Sequence, residues 1–160
     1  MDATKNGEAA VETLRKFVKD LELDPQEERF PEGVAFRLRM EEPTVKAIAR
    51  ILVPKERFTV HFYFDRAAPL ERQAQMAEFI TRANYGLIIG NFEMAYGAGT
   101  LRYKASVDFT AAELVEPLIR NAMLSSMDNI ETFAGPLFSV LDGAAPEEAF
   151  ASAQKNIIAG

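Results

Sequence analysis

The segment TVKAIARILVPKERFTVHFYFD, Thr44 to Asp65, constrains the fold most. On both sides of its proline, apolar residues occupy every second position. Only a β-strand presents residues of that period to one side. Proline at the first central position of Pro54-Lys55-Glu56-Arg57 suits a type I turn, so the two runs read as antiparallel neighbours. If Val53 faces Phe58, then Ile51 faces Val60 and Ala49 faces Phe62. Small residues on one strand then oppose large ones on the other, which packs well.

The stretch GVAFRLRMEEP before it alternates in the same way, with Val34, Phe36, Leu38 and Met40 to one side. A second strand pair surrounds the glycine turn GAGT: Phe92 and Met94 on one run, Leu101, Tyr103, Ala105 and Val107 on the other. Closing Tyr96 on Leu101 sets Met94 by Tyr103 and Glu93 by Lys104.

Helical spacing fills the rest. Ala10, Val11, Leu14, Phe17, Val18 and Leu21 form one stripe between about Gly7 and Leu21. Met76, Phe79, Ile80 and Ala83 form another, stopped by Asn84-Tyr85-Gly86. Thr110-Ala-Ala-Glu113 reads as a capping box before a long apolar helix from Val115 to Leu141, which Pro117 and Pro136 should bend or divide.

The predicted fold is therefore α+β, in the order α-β-β-β-α-β-β-α, with an antiparallel sheet covered by helices mainly on one face. A chain of 160 residues suits a single domain over 1–160. Its core should run from about residue 8 to 142, with 143–160 a loosely attached tail or short helix.

The outward strand positions are unusual. Arg37, Arg39, Lys46, Ile48, Arg50, Leu52, His61 and Tyr63 face away from the core, with Leu87, Ile89, Arg102 and Lys104 on the later hairpin. A solvated sheet face is normally polar throughout. Here it is cationic and partly apolar, in a chain of net charge -6. Arg37, Arg39, Ile48, Arg50, Leu52 and Tyr63 are the candidate partner-binding residues.

Catalytic patterns are missing. His61 is the one histidine, and by alternation it reads as a surface residue near Arg50. The absence of cysteine removes disulfides, thiolate catalysis and Cys-based zinc sites. The paired glutamates lack calcium-loop spacing, and the glycines lack the phosphate-loop Lys-Ser/Thr. No enzyme, cofactor or metal is expected. The acidic balance argues against nucleic acid. MDATKNGEAA has no apolar signal core and no stretch is long enough for a membrane span, so a cytoplasmic protein is expected.

The run FITRANYGLIIGNFEMAYGAGTLRYKASVDF, with FTVHFYF before it, resembles the YbjN-like family, described as bacterial sensory-transduction regulators. The resemblance covers about Val11 to Leu141. It implies a fold similar to type III secretion chaperones: small, acidic, often dimeric proteins that bind an extended stretch of an effector without covalent chemistry. It implies no cofactor and no catalytic residues. The expectation is a non-enzymatic protein-binding or chaperone-like module with a regulatory role, and a homodimer. The alternative is a small-ligand sensor whose pocket, between sheet and long helix, is lined by Phe62, Phe64, Met94 and Tyr103.

Overall fold

The structure, a computed structural model, describes residues 2–159, with side chains through 155. The first helix, α1 (Ala3–Asp20), starts before Gly7 because Asp2 caps it, accepting from the Thr4 and Lys5 amides at 3.0 and 3.3 Å. Gly7 is instead a contact point. A Cβ there would lie 2.4 Å from the carbonyl oxygen of Val53. Beside it, buried Asn6 donates from Nδ2 to Glu56 Oε1 at 2.6 Å and to the Ala112 carbonyl at 2.8 Å. These bonds tie α1 to two distant loops.

The strands are β1 (Gln26–Phe30), β2 (Gly33–Arg39), β3 (Thr44–Leu52), β4 (Arg57–Phe64), β5 (Asn91–Met94) and β6 (Leu101–Asp108). They form one antiparallel sheet in the order β1-β2-β3-β4-β6-β5. β1 adds a strand to the predicted order. Its sequence, QEERF, does not alternate because an exposed edge strand buries neither face; charge on such a strand discourages edge-to-edge pairing.

Both hairpins differ in register from the expectation by two residues. Ile51 pairs with Phe58 and Ala47 with Phe62, while Met94 pairs with Leu101 and Phe92 with Tyr103. In the first hairpin the cause is the turn: Val53–Lys55 form a 3-10 turn, and Glu56 adopts the left-handed conformation (φ 52°). A shift of two keeps each side chain on its face, so the apolar set stays inward.

The remaining helices are α2 (Gln73–Gly86), α3 (Glu116–Leu141) and α4 (Pro146–Ala159). The 110–113 capping box does not form. Asp108 Oδ1 takes the Thr110 amide and hydroxyl, Ala111 turns left-handed (φ 56°), and α3 opens only at Glu116. α3 is continuous. Pro117 sits in its first turn, where a missing amide breaks no bond, whereas Pro136 removes one interior hydrogen bond without ending the helix. α4 seats Ala149 and Ala153 against its neighbours, and Arg82 of α2 pairs with Glu147.

α1 packs on β2 and β3, α2 on β5 and α3 on β6. All cover the same side, where Phe36, Phe58, Phe62 and Tyr103 are almost fully buried. Among the described residues, no helix lies over the opposite side of the sheet.

Candidate functional site

The cross-strand registers fix the composition of the uncovered face. One row runs Arg37, Ile48, His61, Lys104, Asn91 across five strands. The next runs Arg39, Lys46, Tyr63, Arg102, Glu93. On the other side of the first lie Ala35, Arg50, Thr59 and Ser106, and then Gly33, Leu52, Arg57 and Asp108. All six candidate partner-binding residues therefore share this face: Arg37 and Ile48 at its centre, Arg39 and Tyr63 to one side, Arg50 and Leu52 to the other. Leu87 and Ile89 do not. They lie in the loop before β5, which begins only at Asn91.

Charge on the face is partly compensated. Glu93 takes both Arg102 and Lys104, each at 2.6 Å. Burial alone would raise its carboxyl; hydrogen bonds from Lys104, Arg102 and Asn91 outweigh that and hold it at about 2. Arg57 pairs with Asp108 at 2.8 Å. Among the described residues, Arg37, Arg39, Lys46 and Arg50 have no carboxylate partner. Tyr63 lies between cations, with Lys46 Nζ 4.9 Å and the Arg102 guanidinium 6.0 Å from its ring centre.

His61 faces outward as predicted, but it is not a surface residue: only 7% of it is exposed. The neighbours that bury it come from adjacent strands, which its own strand's alternation does not report. Its Nδ1 has no hydrogen-bond partner. Burial, reinforced by Arg102 and Arg50, pushes its pKa down to about 4. The ring is therefore neutral at pH 7, and the positive potential of the face comes from Arg and Lys.

The pocket expected between sheet and long helix exists but has other walls. A groove of about 880 Å³ lies between the end of α1, the β2–β3 turn and α3. Of Phe62, Phe64, Met94 and Tyr103, only Phe62 lines it. Phe64 is packed against Phe92 and Phe138, with ring centres 6.2 and 6.0 Å away. Tyr103 is buried, its hydroxyl donating to the Ile89 carbonyl and accepting from Asn129 Nδ2 at 2.9 Å. Met94 lines a separate hollow of about 680 Å³ beside β5. Long-range packing of α1 against α3 forms the groove, and no local pattern reports that.

Among the described residues, no cluster of three or more His, Asp and Glu could hold a metal, and no helix is long and apolar enough to cross a membrane. The face offers guanidinium groups for charge-assisted, bidentate bonds to carboxylates, beside apolar area from half-buried Leu52 and Tyr63, whereas Ile48 is itself buried.

No curated protein matches the chain. Its fold is similar to that of the crystal structure of YbjN from E. coli, described as "a putative transcription regulator". The two share 15% identity and a TM-score of 0.54, over 78% of this chain and 92% of that one. The sequence profile of YbjN, "Putative bacterial sensory transduction regulator", matches residues 10–137, most of the α+β core described above, and the chain belongs to that family.

Proposed function

We propose that this chain is a non-enzymatic, chaperone-like regulatory module whose uncovered sheet face takes an acidic, partly apolar segment of a protein partner. One observation carries the reading: Arg37, Arg39, Lys46 and Arg50 lack carboxylate partners among the described residues and surround Ile48 on a face that no helix covers. Unpaired cations in an acidic protein favour an acidic partner and speed its encounter. Leu52 and Tyr63 would supply the desolvated area that gives such contacts their strength. An isologous dimer through this face would bring two copies of the same cations together, so the expected homodimer would use another surface.

The test is capture from native lysate with wild type and with Arg37→Glu/Arg39→Glu/Arg50→Glu, followed by binding of the recovered protein in purified form. These residues lie outside the core, so the variant should keep its circular dichroism spectrum. A purified partner that binds wild type and loses at least about tenfold in affinity to the triple variant supports the reading. Equal binding to both removes this face from consideration.

A small-ligand sensor is the second reading, favoured by the groove beside α3, whose volume lies within the range of small-molecule sites.

A further inference from the structure

The groove beside α3 is chemically the reverse of the sheet face. Phe17, Leu21, Phe62, Met123, Met127 and Ile130 make its walls apolar. Four carboxylates, Glu41, Glu42, Asp65 and Glu131, line it as well. None of the four makes an ion pair among the described residues. Two cations are present. Arg120 is occupied, pairing with Glu116 and lying 5.4 Å over the Phe17 ring. Arg39 lies at the end of β2. Acidic groups thus outnumber basic ones around an apolar trough.

Its length separates the classes of occupant. The lining positions of α3 run from Arg120 to Phe138. At about 1.5 Å per residue that stretch is ~27 Å long, about five helical turns. A compact metabolite would cover a fraction of it. A fatty acid or other anionic amphiphile would be long enough, but its head group would meet carboxylates. Met40, Met123 and Met127 give the walls side chains that repack around different anchors, as helix-binding grooves do. Gly135 belongs to the same lining, and a Cβ there would have no atom within 4 Å. A poor helix former thus stands where any side chain would project into open space.

We propose that this groove is a second binding site, separate from the sheet face, that takes an amphipathic helix of a protein partner with apolar anchors on one side and Lys or Arg on its flanks. The two surfaces then recognise opposite charge: an acidic segment on the sheet and a basic helix against α3.

The probe is a Leu/Lys amphipathic peptide of about 18 residues, the number that spans ~27 Å as a helix. Its controls are the same residues scrambled to destroy the apolar stripe, and a Leu/Glu amphipathic peptide. Binding is read by anisotropy and by the methyl resonances of Met40, Met123 and Met127. The Leu/Lys peptide should bind and shift all three methyls, while both controls bind at least about tenfold more weakly. Gly135→Leu fills open space and should weaken binding at least about tenfold without unfolding the protein. Glu41→Lys/Glu42→Lys, on exposed residues, should weaken it in a salt-dependent way. Arg37→Glu/Arg50→Glu, which leaves the groove-lining Arg39 in place, should leave the three methyl shifts unchanged, which separates this site from the sheet face. The proposal fails if the scrambled peptide binds equally well, if Gly135→Leu has no effect, or if the anionic apolar dye anilinonaphthalene sulfonate shifts the same methyls and competes the Leu/Lys peptide out.

Discussion

Ile48 and His61 are direct cross-strand partners at the centre of the sheet face that no helix covers, yet 8% and 7% of each is exposed. Arg37 continues the row on one side and Lys104 on the other. Long cationic side chains cover apolar neighbours with their stems and keep their heads in water. An apolar centre can therefore lie hidden beneath a charged surface, and a partner that draws the cations outward would uncover it.

His61 should make stability depend on pH in a defined window. Its folded pKa is lowered from 6.5 to about 4. Between those values the unfolded chain binds the extra proton, so stability rises with pH there and is lost as pH falls from about 6.5 toward 4. The loss is on the order of 2 kcal/mol after solvent screening. Urea unfolding at pH 7 and pH 5 should show a larger drop for wild type than for His61→Leu. Equal drops would mean that the ring titrates normally.

Glu93 acts in a lower window. With its carboxyl held at about 2 rather than 4.5, its contribution is present above pH 4.5 and is lost as pH falls toward 2. Glu93→Gln should cost about 1 kcal/mol at pH 7, since the site is partly screened by solvent. That difference should shrink as pH approaches 2, as measured by acid and urea titration.

Two helical glycines should respond to alanine with opposite sign. Gly7→Ala sets a Cβ 2.4 Å from the Val53 carbonyl oxygen and should destabilise by about 1–3 kcal/mol. Gly135→Ala meets nothing within 4 Å beyond its chain neighbours, of which Pro136 crowds the new Cβ, and should stabilise by at most about 0.5 kcal/mol. Thermal melts of the two variants check both signs.

Asn6→Ala should cost about 1–3 kcal/mol, because it leaves the buried Glu56 carboxylate without the 2.6 Å donor. Restoring the amide one methylene further out, as Gln, should recover only part of this. Chemical denaturation of the three proteins gives the comparison.

The strand faces were legible because their period is two. Ile48, Arg50 and Tyr63 could be assigned outward from alternation alone, and an error of two residues in both hairpins did not move them. The register itself was not legible, because it depends on a turn in which Glu56 adopts a positive φ that its residue type does not advertise. β1 is not legible in the sequence, because QEERF carries no apolar period. The false helix start at Thr110 shows a local capping signal losing to a competing one, since Asp108 takes both Thr110 donors.

The sequence by itself determined which side chains face the core, the cationic character of the other face, and the lack of any recognisable catalytic set. These follow from local periodicity and composition. Only the tertiary structure decided that His61 is sheltered, because the shelter comes from neighbouring strands. It alone decided the groove, whose walls come from the end of α1, the β2–β3 turn and α3. Burial and cavity shape are properties of segments distant in the chain, and no local pattern encodes how those segments meet.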